Sequence, residues 1–66
     1  IQVEWVARVL ENPAAVEFDR SDPTVRHALG RIAEREGRVL RVVYDQTVTP
    51  WRIITAFFDR RRRNSL

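Results

Sequence analysis

Two stretches in the second half of the chain have the composition of β-strands, and they constrain the fold more than any other feature. Val39 to Tyr44 alternates between two faces, and Trp51 to Asp59 is rich in β-branched and aromatic residues. In the second stretch both faces are apolar: Ile53, Thr55 and Phe57 against Ile54, Ala56 and Phe58. One amphipathic helix covers only one face of a small sheet. We therefore expect the second face to need a missing N-terminal element, a second subunit or another protein.

The first half of the chain predicts a helix and a short strand. From Val3 to Leu10 the apolar residues follow the i, i+1, i+4, i+5 spacing of one helical face, and Asn12-Pro13 ends the pattern. Alternation of apolar and acidic residues from Val16 to Asp19 then indicates a strand with one solvated face. This strand is expected to stop at the turn sequence from Arg20 to Pro23.

The stretch from Thr24 to Glu36 fits two structures. As a helix it begins at Asp22 and Pro23, ends at Gly37 and buries a stripe of Val25, Leu29, Ile32 and Ala33. As a strand, His27 to Ala33 leads into a turn at Glu36-Gly37 and pairs with the following strand. The pattern favours the helix, but both interpretations stay open at this level.

Length and composition limit what can stabilise the fold. The 66 residues predict a single domain over 1–66, and the absence of cysteine with one histidine argues against disulfides and structural zinc. No apolar run approaches the roughly 20 residues that span a bilayer. We expect a cytoplasmic protein without cofactor or membrane contact. Because Ile1 already lies at the edge of a predicted helix, we also expect an upstream element to precede it.

Charge is distributed unevenly along the chain. Residues 1–24 carry five acids and two arginines, a balance of −3, whereas residues 25–66 carry ten arginines and four acids, a balance of +6. All twelve basic residues are arginines. Arginine suits bidentate contact with phosphate or carboxylate, although coding bias in a GC-rich genome explains the absence of lysine equally well.

The stretches Gly37 to Arg61 and Glu4 to Asp19 together resemble the family called domain of unknown function 4258. The resemblance lies in a helix with an asparagine-proline stop, a Gly-Arg-x-Leu-Arg-Val-Val strand, a loop with proline and an Ile-x-Thr-x-Phe-Phe-Asp-Arg-Arg close. More distantly, the order of elements is similar to the RelE/ParE superfamily of bacterial toxin–antitoxin systems and its BrnT branch.

This resemblance implies an α+β fold, with one N-terminal helix packed on a small antiparallel sheet of about four strands. The ambiguous stretch is then a strand. The resemblance also implies RNA or the ribosome as target, an antitoxin as protein partner, and an upstream basic or histidine-bearing segment. Fold alone does not determine function.

A metal-free ribonuclease of this kind needs a proton acceptor, a proton donor and cations for the developing phosphorane charge. His27 is the default acid or base and Tyr44 a second catalytic candidate, although the sequence favours a structural role for each of them. Four arginines at alternating strand positions form a phosphate-binding surface if they share the face that the helix leaves uncovered: Arg26, Arg31, Arg41 and Arg52. Solvated surface charge, or pairing with an acidic antitoxin, explains these arginines equally well.

The arginine run at the end of the chain is expected to divide. Arg60 and Arg61 continue the closing strand and contribute to RNA or partner binding, whereas Arg62 and Arg63 form a fraying tail. Trp51, beside a loop, is a candidate for stacking on bases, although the sequence favours a core position for it. Two functions therefore compete: a RelE/ParE-like toxin that binds RNA or the ribosome, and a non-catalytic protein-interaction or dimerisation module with a basic sheet surface.

Overall fold

The computed structural model describes residues 1–62 and 66 and shows one N-terminal helix on a four-stranded antiparallel sheet. The strands lie side by side in chain order, so each pairs with its neighbour in sequence. This is the α+β fold class that the resemblance implied. The elements are α1 (Val3–Glu11), β1 (Ala15–Phe18), β2 (Val25–Ile32), β3 (Arg38–Asp45) and β4 (Arg52–Phe58), with 3-10 turns at Ala33–Arg35 and Arg60–Arg62.

The predicted helix is confirmed, and its apolar stripe forms one side of the core. Trp5 and Val9 are buried, and the helix ends where the Asn12 N–H donates to the Arg8 carbonyl at 3.2 Å. Burying a large apolar side chain contributes about 1.5–3 kcal/mol, so this stripe holds the helix on the sheet. Its partners on the sheet are Ala28, Ile32, Leu40, Val42, Tyr44, Ala56 and Phe58.

The ambiguous stretch is a strand over Val25–Ile32, so the helix favoured by the pattern is wrong there. β2 is hydrogen-bonded along both edges, to β1 and to β3, and these pairings outweigh the local periodicity. Gly30 gives the helix room, because a Cβ at that position would lie 3.1 Å from Val9 Cγ2. Glu36 and Gly37, both with positive φ, then turn the chain into β3.

Residues that face each other across paired strands share one face of the sheet. Leu29 lies opposite Arg41, and both point to the face away from the helix, which we call the second face. Leu29 and Val39 are nevertheless fully buried. The second face is therefore covered in part by the chain itself.

That cover is the arginine turn that follows β4. Asp59 N–H donates to the Val39 carbonyl at 2.8 Å, the turn Arg60–Arg62 packs against β3, and Arg62 forms an ion pair with Glu17 on β1. The strand ends at Phe58, so the expectation that Arg60 and Arg61 continue it is wrong. Arg62 is half-buried and ion-paired and so does not fray, while Arg63 lies outside the described residues.

Candidate nucleic-acid interface

Arg41 stands at the centre of a polar network on the second face. Its Nε and Nη2 lie 2.9 and 2.7 Å from Asp59 Oδ2, and its Nη1 lies 3.3 Å from Glu17 Oε1. The side chains of Arg41 and Asp59 are only 12% and 4% exposed. Arg41 is thus neutralised inside the molecule, although the sequence placed it on an RNA-binding surface.

Asp59 is the buried anion of this network. Its Oδ1 accepts the Arg61 backbone N–H at 3.0 Å, so both carboxylate oxygens have donors. The hydrogen bond from Arg41 holds the pKa of Asp59 below its usual range, against the opposing effect of burial. The acid that precedes the arginine run is therefore an ionised anchor for the turn that follows it.

His27 joins the same network through both ring nitrogens. Its Nδ1 lies 2.8 Å from Arg41 Nη1 and its Nε2 lies 2.7 Å from Asp19 Oδ1. Because a guanidinium can only donate, Nδ1 accepts, and we assign the ring proton to Nε2, which donates to Asp19. The His27 hydrogen bond lowers the pKa of Asp19, helped by the backbone N–H groups of Ser21 and Asp22. In this arrangement neither nitrogen of His27 is available to accept a proton from a substrate.

Tyr44 lies on the opposite face from His27. Tyr44 pairs with Arg26, whereas His27 pairs with Val43, and adjacent positions along a strand face opposite ways. The Tyr44 ring is buried and stacks with Trp51, their centroids 4.9 Å apart. The sheet therefore does not bring the two predicted catalytic residues into one site.

The predicted arginine surface is divided in the same way. Arg26 lies on the helix face, while Arg31, Arg41 and Arg52 have the register of the second face. Arg31 is exposed and donates to the Gly37 carbonyl at 2.8 Å, and Arg52 lies opposite Asp45. No single face carries all four arginines.

The structure instead gathers arginines at one end of the sheet, where β2 turns into β3 and β4 ends. Arg38 and Arg60 line a shallow pocket with Val39, Phe58 and Asp59. The Arg35 guanidinium lies 6.0 Å from the centre of the Phe58 ring. We call Arg35, Arg38 and Arg60, all exposed, the arginine end. Arg61, beside it, is 92% exposed.

Little negative charge opposes the arginine end. The nearby Glu34 is held by Arg8 at 2.8 and 2.9 Å, and this hydrogen bonding lowers the pKa of Glu34 to about 2. Asp59 is occupied by Arg41, which leaves Glu36 as the local acid. The other end of the sheet, by contrast, carries as many aspartates as arginines: Asp19, Asp22 and Asp45, and Arg20, Arg26 and Arg52.

Sequence reasoning found Arg60 but missed Arg35 and Arg38. Both arginines flank the turn at Glu36-Gly37. If β2 is a strand, this turn lies at the end of the sheet where β4 ends and Arg60 follows, so the strand interpretation already places the three arginines together. Within residues 1–62 and 66, no cluster of three or more His, Asp or Glu side chains could hold a metal ion. In the same part of the chain, no helix is long and apolar enough to cross a membrane.

The fold and this site define a small basic α+β domain with one helix on a four-stranded meander. The family model described as domain of unknown function (DUF4258) matches residues 1–58, and the chain belongs to that family. The resemblance to this family is thereby confirmed. No curated protein and no solved structure matches the chain significantly.

Proposed function

We propose that this protein binds RNA, free or in the ribosome, through its arginine end. The observation that carries the proposal is the position of three exposed arginines at one end of the sheet. Arg38 and Arg60 line the pocket, and Arg35 lies near the Phe58 ring that forms part of its wall. None of the three has a carboxylate ion-pair partner in the described part of the chain. Guanidinium forks match phosphate oxygens in a bidentate geometry. Phosphate contacts of this kind supply most sequence-independent affinity for nucleic acids.

The pocket has chemistry suited to a nucleotide. Arg38 and Arg60 supply donors at its rim, while Val39 and Phe58 supply an apolar wall against which a sugar or base can pack. Asp59 also lines the pocket, but its two oxygens are occupied by Arg41 and the Arg61 N–H. The negative charge of Asp59 is therefore compensated by Arg41, so it repels a phosphate at the rim less than a free carboxylate would.

The geometry supports binding better than cleavage. A metal-free ribonuclease would need His27 to release Arg41 before its Nδ1 could take a proton, because Nε2 already carries the proton donated to Asp19, and Tyr44 lies across the sheet from it. The toxin resemblance extends the proposal to a partner: an antitoxin with an acidic segment would neutralise this protein by competing with RNA for the same arginines.

The test measures affinity for a labelled single-stranded RNA as a function of salt. The variant Arg38→Gln/Arg60→Gln removes two charges from the arginine end, and Arg20→Gln/Arg52→Gln removes two from the opposite end as a matched control. Each lost phosphate contact lowers the slope of log K against log salt by about 0.7 for single strands, so the first variant should lose about 1.4 of slope and about tenfold in affinity. Equal losses in the two variants would reduce the interaction to diffuse electrostatics and refute the proposed site.

A cellular experiment tests the toxin part separately. Induced expression should arrest growth, and co-expression of the partner should relieve the arrest. The charge variant Arg38→Gln/Arg60→Gln should be less toxic than Arg20→Gln/Arg52→Gln at equal protein level. Harmless expression of the intact protein would reject the toxin role and leave RNA binding to be judged by the salt experiment.

A specific observation also favours the second candidate, a homodimer through β4. β4 is an edge strand of the sheet, and Ile53, Ile54 and Phe57 on it are exposed. Edge strands are usually protected from pairing by charged residues or proline, and β4 has neither from Ile53 to Phe58. Two copies can therefore pair along β4 without bringing like charges together. Sedimentation should then show a concentration-dependent dimer that Ile54→Lys abolishes and Val48→Lys, at an exposed loop position, does not. A monomer at all concentrations would reject the dimer.

A further inference from the structure

A second surface lies on the helix face, at the end of the sheet away from the arginine end. Phe18, Arg26 and Tyr44 lie directly opposite one another on β1, β2 and β3. The Arg26 guanidinium lies 4.4 Å from the centre of the Phe18 ring, and Trp51 stacks on Tyr44 with an interplanar angle of 22°. These four planar groups form two contacting pairs on neighbouring strands, and together we call them the aromatic row.

The helix leaves this end of its own face open. Nine helical residues extend about 14 Å, whereas the eight residues of β2 extend about 26 Å. The helix packs toward the arginine end, with Val9 against Gly30 and Trp5 edge-on to Phe58. At the other end Phe18 is 76% exposed and Trp51 48% exposed. Large exposed aromatics grouped in this way indicate an interaction surface.

The row is held in position before any ligand arrives. Arg26 Nη1 donates to the carbonyls of Pro23 and Val25 at 2.7 and 3.3 Å, which fixes the guanidinium beside Phe18. Trp51 rests on the buried ring of Tyr44. Rigid planar groups lose little conformational entropy when a second planar group stacks on them.

The three aspartates at this end accept hydrogen bonds within their own turns, so the charge that the row itself presents is that of Arg26, which favours an anionic ligand with planar groups. Asp19 is directed to the second face by its bond to His27, and Asp45 has the register of the same face through its pairing with Val25. The row itself therefore carries the positive charge of Arg26 and no acid. Aromatic rings beside guanidinium groups form the surfaces on which single-stranded nucleic acids stack their bases.

We propose that the aromatic row stacks unpaired nucleobases, so that the protein selects single-stranded over double-stranded RNA. This inference rests on the proposed function and deepens it. The arginine end supplies the salt-dependent contacts with phosphate, and the aromatic row binds only bases that are unpaired and can stack on it. Stacking on an aromatic side chain tolerates any base, so we expect strand selectivity without strong sequence preference.

Tryptophan fluorescence provides a direct test, because the two tryptophans lie in different environments. Trp5 is buried in the core beside Phe58, whereas Trp51 is half exposed on the row. A single-stranded 12-nucleotide RNA should quench the emission of the intact protein. Trp51→Phe should abolish the quench while it keeps affinity within about threefold, since a planar ring remains on Tyr44. Quenching that persists in Trp51→Phe would come from Trp5 and would overturn the inference.

Affinity measurements separate the row from the arginine end. Phe18→Ala and Trp51→Ala should each weaken single-strand binding about tenfold, leave binding to a duplex of equal length unchanged and leave the salt slope unchanged. The matched control is Phe57→Ala, the same truncation of an exposed phenylalanine on the second face, and thermal melts confirm that each variant folds.

The two proposals fail in different ways. If Phe18→Ala and Trp51→Ala bind like the intact protein while Arg38→Gln/Arg60→Gln weakens binding, the aromatic row is rejected and the arginine end stands. If the row variants weaken single-strand binding while the arginine variant does not, the row stands and the arginine end is rejected. Equal loss of duplex and single-strand binding in the row variants also overturns the selectivity for unpaired bases.

Discussion

Replacing Asp59 by asparagine tests whether the arginine turn is anchored by a buried ion pair. Asp59 and Arg41 are both largely withdrawn from solvent, and removing one partner of a buried pair costs about 3–5 kcal/mol. Asparagine keeps an oxygen that can accept the Arg61 N–H, but it gives Arg41 a neutral acceptor in place of a charged one. We therefore expect the free energy of unfolding to fall by about 2–3 kcal/mol. A domain of this size has a total stability of only about 3–10 kcal/mol, so the melting temperature should fall by about 10–20 °C.

The assay is urea unfolding of the intact protein and Asp59→Asn, repeated across pH. Because Arg41 lowers the pKa of Asp59 in the folded state, the ionised form contributes stability above the unfolded pKa of about 4. That contribution is lost as pH falls through the folded pKa. The difference in free energy of unfolding between the intact protein and Asp59→Asn should therefore be constant from pH 5 to 7 and shrink below pH 4.

A matched control comes from the exposed ion pair between the helix and the turn Ala33–Arg35. Glu34→Gln removes a carboxylate held by two hydrogen bonds from Arg8, but both side chains are half exposed, so the change in stability should be much smaller. Equal stability of Asp59→Asn and the intact protein, or a difference that persists unchanged at low pH, would refute the buried anchor.

Three further substitutions probe the packing and the network. Gly30→Ala should cost about 1–2 kcal/mol in urea unfolding because its Cβ meets Val9, and adding Val9→Ala should cost less than the sum of the two single changes. Arg62→Ala should lower stability by about 1 kcal/mol through loss of its ion pair with β1, an effect that shrinks in 1 M salt, whereas Arg61→Ala should leave the melting temperature unchanged. His27→Leu should cost about 1–2 kcal/mol and His27→Gln less, since glutamine restores a donor and an acceptor, and neither should alter RNA affinity in the salt titration.

The ends of the elements whose apolar residues follow a single periodicity were predicted from the sequence to within one or two residues. The helix that ends at Asn12-Pro13 and the strands β3 and β4 each have composition and spacing that fit a single structure. β2 does not, because its apolar residues fit a helical stripe as well as a strand. Its structure depends on hydrogen bonds to β1 and β3, which are distant in sequence.

The candidate site was harder to predict, because it depends on which arginines find carboxylates. Arg41 and Arg60 look alike as residues next to apolar strands, yet Arg41 is buried against Asp59 while Arg60 is exposed at the rim of the pocket. That difference follows from the turn after β4, which returns over the second face and carries Asp59 inward. The alternation of arginines along a strand contains no information about that turn.

Arg41 affects the proposed RNA site without being part of its surface. Asp59 lines the same pocket as Arg38 and Arg60, and its negative charge is compensated chiefly by Arg41. Arg41→Gln should therefore leave Asp59 to attract the rim arginines and repel phosphate, which weakens RNA binding about tenfold in the salt titration.

Asp59→Asn added to Arg41→Gln removes that unpaired charge, so the double variant should recover RNA affinity even though its net charge is no higher than that of the intact protein. Circular dichroism at the titration temperature confirms that both variants are folded. If Arg41 instead contacts phosphate directly, the double variant stays as weak as Arg41→Gln, and the compensating role of Arg41 is refuted.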